Sequence, residues 1–313
     1  MTILCLGSAL ADITVWPVDT QQLAREHVCP ELTMVGPGGC AGNLSLGLAA
    51  LGCPVALAAR LGNDQMGDLV KDHLRQRGVK AHLLQQDDQR PTGTTIVLVD
   101  DQGERRFIYT AGANAHLDPL PLSRVDLNDF SAVQVSDIFL LHKMLDGPLL
   151  EILQNARAKG KTTSMDTVWD PSGRWMDVLK PYLPLLDYFF VSEEEGRHLL
   201  PNASRTEMVQ TFQNLGAGVV VLKCGEDGCL MGHENQIRTF TPPKVRPVDS
   251  TGAGDAFVAG FLAAITEGAS IENAAGVATD FAVHSLSFIG ATAGFKQFDD
   301  TKAFQTSLQC QSI

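Results

Sequence analysis

A three-layer α/β/α fold with a mainly parallel sheet, and a small β-sheet lid beside it, is the architecture this sequence predicts. Short apolar runs alternate with helical patterns through most of the chain. Two stretches interrupt that alternation with strand-like patterns of their own, and beyond residue 250 the pattern turns to nearly continuous helix.

Strands are expected, in order, at Ile3–Leu6, Val55–Ala59, Ile138–Leu141, Thr163–Asp166, Tyr188–Val191 and Val219–Lys223. Between them, helical periods mark Asn43–Leu51, Gly67–Arg77, Leu149–Ala158 and Thr206–Leu215. Two apolar helices, Asp255–Glu267 and Ile271–Ser285, end the pattern. Residues 12–36 carry Val15, Pro17 and Val35 without a helical period, and Thr94–Val99 and Arg106–Tyr109 alternate apolar and polar residues around Asp101-Gln102-Gly103. Segments 12–36 and 92–114 together predict a small antiparallel sheet. No linker, repeat or low-complexity tract divides the chain, so residues 1–313 read as one core with a discontinuous lid.

Composition narrows the function. With 44% hydrophobic and 19% charged residues, the chain reads as a soluble globular protein. No apolar run reaches membrane-spanning length, and Met1–Leu10 lacks the basic start of a secretory leader. A net charge of −12 argues against nucleic acid or an anionic membrane as partner, though local donors can still hold a nucleotide. Cys224 and Cys229 have no second pair or nearby His, so the seven cysteines read as reduced thiols of a cytoplasmic protein.

The chemistry concentrates in Val248-Asp249-Ser250-Thr251-Gly252-Ala253-Gly254-Asp255-Ala256-Phe257. A strand-like Lys244–Val248 leads into small residues at the mouth of an apolar helix. There, backbone N–H groups of Gly252, Ala253 and Gly254 can converge on a phosphate, helped by the helix terminus. A carboxylate beside such a cradle calls for a task, and taking the proton from an attacking hydroxyl is one. The helix terminus should favour its ionised form and make Asp255 a weak base. Alone, Asp255 reads rather as a first-turn acid complementing the helix dipole; within Asp-Ser-Thr-Gly-Ala-Gly-Asp-Ala-Phe the functional reading is the stronger. No G-x-x-x-x-G-K-[ST] run is present, and the loose dinucleotide pattern at Gly36–Ala41 does not directly follow the first strand.

These residues resemble the PfkB, or ribokinase-like, carbohydrate kinases. Asp249–Leu262 matches the C-terminal signature throughout, and Gly38-Gly39-Cys40-Ala41-Gly42-Asn43-Leu44-Ser45, with Gly52 and Gly62, matches the N-terminal one. The resemblance covers essentially the whole chain. It implies a ribokinase-like fold and an ATP-dependent sugar kinase, a phosphotransferase with an alcohol acceptor, using Mg2+. Asp255 would be the base, and Gly252, Ala253 and Gly254 the anion hole. A nucleoside kinase, with Trp16 or Phe107 as base platform, and a silent sugar sensor are the alternatives.

The resemblance also assigns Asp12, Gly38, Gly39 and Asn43 to sugar binding, where Asp12 alone reads as a turn residue and Asn43 as a helix cap. Lys223, Gly225 and Gly228 would border ATP, with a solvated lysine as the plain reading. Glu195 would hold Mg2+ through water, although Ser192 replaces the family's Asn and also suits an N-cap of an acidic first turn. Asp249 and the Thr251 carbonyl would take a monovalent cation such as K+, completed by a loop near Phe288–Ala291. Asp166, Asp170 and Arg174 would face the phosphates. Arg106, Tyr109, Asn114, His142 and Lys143 would choose the sugar, with a ketose expected. An exposed lid sheet predicts a homodimer.

Overall fold

Strand β1 (Thr2–Leu6) lies inside the main sheet because both of its faces are apolar. Ile3 and Cys5 enter one hydrophobic cluster, while Leu4 and Leu6 enter the other on the opposite face. The computed structural model describes residues 2–19, 23–24, 26–145, 147–234, 236–298 and 309–312. Positions 20–22 and 25 of the expected lid segment lie outside the described residues.

Next come β2 (Leu10–Trp16), β3 (Leu32–Gly38), α1 (Cys40–Ala50), β4 (Val55–Ala58), β5 (Arg60–Gly62), α2 (Gln65–Gln76) and β6 (Gln85–Asp87). A hairpin of β7 (Thr94–Val99) and β8 (Arg105–Thr110) precedes α3 (Pro119–Leu122), β9 (Phe130–Val135), α4 (His142–Leu145) and α5 (Pro148–Ala158). The chain continues through β10 (Thr162–Asp166), α6 (Met176–Leu179), β11 (Tyr188–Ser192), α7 (Glu193–Leu199), α8 (Arg205–Asn214) and β12 (Val219–Lys223). It closes with β13 (Cys229–His233), β14 (Gln236–Thr241), α9 (Ala253–Thr266), α10 (Ile271–Ser285) and β15 (Gln309–Ser312).

The nine-stranded sheet runs β15-β14-β13-β12-β11-β10-β9-β1-β4. It is parallel from β4 to β12 and antiparallel from there to β15. Because β1 pairs with β4 on one side and β9 on the other, winding reverses at β1. Ligand crevices open at the carboxyl ends of strands flanking such a reversal. Helix α9 crosses this region packed between α1 and α10.

A second sheet, ordered β3-β2-β7-β8, stands beside the core. It is mixed rather than antiparallel, since β2 and β7 run parallel. Its edge strand β8 is exposed at all six positions.

Other expectations need correcting. Ile138–Leu141 is not a strand: Ile138–Leu140 forms a 3-10 turn, and the strand is β9 upstream. Buried Gln134 and half-buried Ser131 broke the apolar run there, whereas Ile138 and Phe139 are apolar because they pack in the core. Lys244–Val248 is irregular, since Pro242, Pro243 and Pro247 strip the segment of ladder donors. The β13–β14 hairpin was missed, and helix α1 starts before Asn43, which therefore lies inside the helix.

Candidate active site

The crevice at β1 and β9 is built around a buried acid. Asp137 follows β9 in a left-handed turn (φ 59°) and is 1% exposed. Its Oδ2 accepts from the Ser8 N–H at 2.9 Å and from the Ser8 hydroxyl at 2.5 Å. Burial raises this carboxyl against the pull of bonds from Cys40 and Ser8. On the next layer, Gly38 and Gly39 turn β3 into α1. A Cβ at Gly38 would fall 2.2 Å from the Asp12 carboxyl carbon, so only glycine lets strand and acid meet. Asp12 itself is buried and pushed up to about 7 by that burial, with Asp249 adding to it and a bond from Thr95 opposing.

Asn43, one turn into α1, donates from Nδ2 to Asp255 Oδ2 at 2.9 Å. Its Oδ1 is buried with no hydrogen-bond partner. A buried acceptor left bare is costly, and a ligand hydroxyl would satisfy it. Asp255 sits in the first turn of α9, and burial pushes its carboxyl up to about 8 against the Asn43 bond. Asp166 and Asp137 add to the rise, and Lys223 opposes it. The weak, readily ionised base expected from the helix terminus is therefore not what forms: desolvation outweighs the terminal field.

Gly252 caps α9 at φ 75°, where a Cβ would stand 2.7 Å from the Ala291 carbonyl oxygen. The Ala253 N–H leans on the Ser250 carbonyl at 3.3 Å, a long bond that leaves this cradle donor only weakly held. At Gly254 a Cβ would meet only Lys223 Nζ, at 3.4 Å. The ammonium thus stands over the start of α9. Lys223 Nζ grips Asp166 through both oxygens, at 2.7 and 2.8 Å. Burial alone would lower the ammonium, but Asp166, Glu195 and Asp255 outweigh it and raise the pKa. Asp166 stays pushed up to about 7, because burial exceeds the help from Lys223.

Glu195 Oε2 accepts from the Ser192 N–H at 3.0 Å and the Thr167 hydroxyl at 2.8 Å, while Ser192 caps α7 in return. The N-cap reading of Ser192 therefore holds. Asp249 Oδ1 accepts from the Thr251 N–H and hydroxyl at 2.8 and 2.6 Å, and Oδ2 from the Gly290 N–H at 2.8 Å. The loop near 290 is thus tied to the anion turn. Gly225 faces open space beside β12, whereas Gly228 is small because the Phe240 carbonyl lies against it.

Asp170 and Arg174 do not join this cluster. Asp170 closes its own turn by accepting from Ser172 and Trp175, and Arg174 lines a separate recess with Leu150, Val178 and Tyr182. Asn114 accepts from the Ala9 N–H, while His142 and Lys143 are exposed on α4. Burial raises the Tyr109 phenol, and Asp137 and Cys40 lie near enough to add to the rise. Sequence reasoning missed Ser8, Asp137 and Arg105. An acid set between apolar runs was the one available signal for Asp137.

Three carboxyls held high have a consequence for stability. Asp12, Asp166 and Asp255 move from 3.8 to about 7, 7 and 8. Above pH 3.8 the unfolded chain releases these protons and the folded one keeps them, so their contribution is lost as pH rises towards 8. Burial of His116 works oppositely near pH 6.5, one group against these three and Asp137, which burial also raises. The ligand-free protein should therefore show a falling Tm between pH 5 and 8.5; a rising one would contradict these environments. Lys223→Met should destabilise by about 3–5 kcal/mol where Asp166 is charged. The loss should shrink at pH 5, where Asp166 can protonate, and equal losses at pH 5 and 8 would count against the pair.

Among the described residues, no group of three His, Cys, Asp or Glu side chains converges to hold a metal, and no helix is long and apolar enough to cross a membrane. The profile of the pfkB family carbohydrate kinase matches residues 2–297. A fructokinase of Vibrio alginolyticus is 30% identical over 245 residues, covering 76% of this chain and 79% of that protein. An Escherichia coli protein assigned as ribokinase II, solved in complex with ATP and Mg2+, superposes with a TM-score of 0.81 at 22% identity, covering 94% and 95% of the two chains. Arabidopsis thaliana ribokinase, solved with ribose and ATP, gives 0.77 at 23% identity, covering 97% and 99%.

Proposed function

The chain belongs to the pfkB family of carbohydrate kinases, and from that premise we propose that it moves the γ-phosphate of ATP onto a hydroxyl of a ketose. The kinase is a phosphotransferase with an alcohol acceptor; the ketose rests on the resemblance to a fructokinase. One observation carries the site assignment. Asn43 and Asp255 meet side chain to side chain at the mouth of the Gly252–Gly254 turn, with Lys223 standing over it. A proton acceptor and an anion cradle thus lie within one helical turn.

In this reading Asp12, Asn43, Gly38 and Gly39 hold the sugar, and the bare Asn43 Oδ1 accepts one of its hydroxyls. Asp255 takes the proton of the attacking hydroxyl as the bond to phosphorus forms and the bond to ADP breaks. Burial pushes its carboxyl up to about 8, so it is a strong acceptor once ionised, and its ionised share grows as pH rises through neutrality. Gly252, Ala253 and Gly254 N–H groups and Lys223 stabilise the transferring phosphoryl charge. Gly225 and Gly228 border the nucleotide. Magnesium, when bound, would neutralise phosphate charge; Glu195, fixed by Thr167 and Ser192, would hold it through water. Asp249 and the Thr251 carbonyl would hold K+, which would reinforce a turn that Gly290 already ties.

The second sheet covers the sugar as a lid, limiting access of water. Its exposed edge β8, with Phe107 and Ile108 more than half exposed, pairs two copies into a homodimer in the cytoplasm. The net charge of −12 leaves nucleic acid and anionic membranes out of this picture.

Magnesium-dependent ADP formation across ketoses, aldoses, sugar acids and nucleosides tests the reading. Turnover stimulated by a ketose supports it, and stimulation by a nucleoside alone would replace it with a nucleoside kinase using Trp16 or Phe107 as platform. ATP and sugar binding without turnover would leave a sensor. The profile of kcat/KM against pH should rise to a plateau above about 8, as Asp255 ionises. A flat profile from pH 6 to 9 would remove Asp255 from the chemistry.

A further inference from the structure

The hairpin of the second sheet reaches the anion turn from outside the core. The Arg105 guanidinium, at the start of β8, donates to the Ser250 carbonyl. In return the Ser250 hydroxyl donates to the Gly103 carbonyl at 3.1 Å. Arg246 adds a long bond to the Asp101 carbonyl at 3.5 Å, and a Cβ at Gly103 would fall 2.9 Å from the Pro247 carbonyl oxygen. The hairpin tip is therefore seated on the chain just before Gly252.

The acceptor that Arg105 takes is not a neutral choice. The Ser250 carbonyl is also the one on which the Ala253 N–H leans at 3.3 Å. A guanidinium on that oxygen competes with Ala253 for it, and a weakened internal bond leaves the Ala253 N–H freer for a phosphate. Arg105 also sits in the field of Asp249 and Asp255, which act on its guanidinium along with Glu104 and Glu194. Along β8, residues 105, 107 and 109 share one face. Arg105 lies over the Phe107 ring at 5.7 Å, and Tyr109 on the same face lies near Asp137 and Cys40. One strand face thus spans the crevice from the Gly39–Cys40 turn to the anion turn.

We propose that Arg105 is a positioning residue: through Ser250 it lets the second sheet, as it covers the sugar, set the anion turn for phosphoryl transfer. The proposal rests on the kinase reading above. Its consequence is coupling, in that ATP is held for transfer only when the sheet is seated. Loss of the latch should lower transfer and raise the share of ATP hydrolysed to no purpose.

The test compares wild type, Arg105→Ala, Arg105→Lys and Ser250→Ala with MgATP and either D-fructose or D-ribose. Sugar phosphate and ADP are measured separately, and folding is checked by circular dichroism. Arg105→Ala should lose roughly 30–100-fold in kcat, as a misplaced reacting geometry does. The KM for MgATP should barely move, and the ratio of ADP to sugar phosphate should climb above one. Arg105→Lys should recover part of the rate, because it keeps the charge but not the planar fork. Ser250→Ala, which deletes only the returning bond, should reproduce the raised ratio and reports even if Arg105→Ala folds poorly. Wild-type kcat and a ratio of one in both Arg105→Ala and Ser250→Ala would overturn the latch. Wild-type protein that phosphorylates neither these nor any other sugar would instead overturn the kinase reading beneath it.

Discussion

Asp255→Asn should cut sugar-dependent turnover by about 10²–10⁴-fold, the range a positioned general base contributes. The substitution is nearly isosteric, and the Asn43 Nδ2 bond of 2.9 Å can persist to the amide oxygen. ATP and sugar should bind as before, since the anion turn and the Asn43 acceptor are untouched. The variant carries its own control in its stability. Removing a carboxyl held near 8 should flatten part of the fall in Tm between pH 5 and 8.5. Loss of turnover without that flattening would point to a damaged fold, and wild-type turnover would remove Asp255 from the mechanism.

Gly252→Ala is the second substitution with a large expected effect. At φ 75° an L-residue costs about 1–2 kcal/mol, and the new methyl would stand 2.7 Å from the Ala291 carbonyl oxygen. Turn and loop must part, which also strains the Asp249–Gly290 bond of 2.8 Å. A cradle moved off its phosphate should lose roughly 10²–10³ in kcat, as loss of one such donor does elsewhere. Gly254→Ala is the contrast, because its methyl meets only the Lys223 ammonium at 3.4 Å. It should raise the KM for MgATP with less harm to stability. Equal stability losses at 252 and 254 would show that the turn is not constrained as described.

Much of this was written locally in the chain. Strands β1, β4, β11 and β12 announce themselves because a parallel strand buried on both faces is apolar along its length, and α9 and α10 because apolar residues surround them. The Gly252–Gly254 turn into α9 was legible because small residues mark a tight helix mouth. What escaped depends on distant partners. Gln134 lies fully buried in β9, so polarity hid a core strand. The irregular path before Ser250 follows from prolines whose effect a short apolar pattern masks. Arg105 looks like any hairpin charge until Ser250 is placed beside it. The direction of the Asp255 shift runs against expectation for a related reason: a helix terminus is visible in sequence, but the burial of the carboxyl and the nearby charges of Asp166 and Asp137 are not.

The Asn43–Asp255 bond joins residues 212 positions apart. During synthesis, a chain that has emerged only as far as β12 carries Asn43 without the acid it pairs with. The pair forms only when α9 is made and packs on α1. On the proposed mechanism, a chain truncated before α9 should therefore show no sugar-dependent transfer.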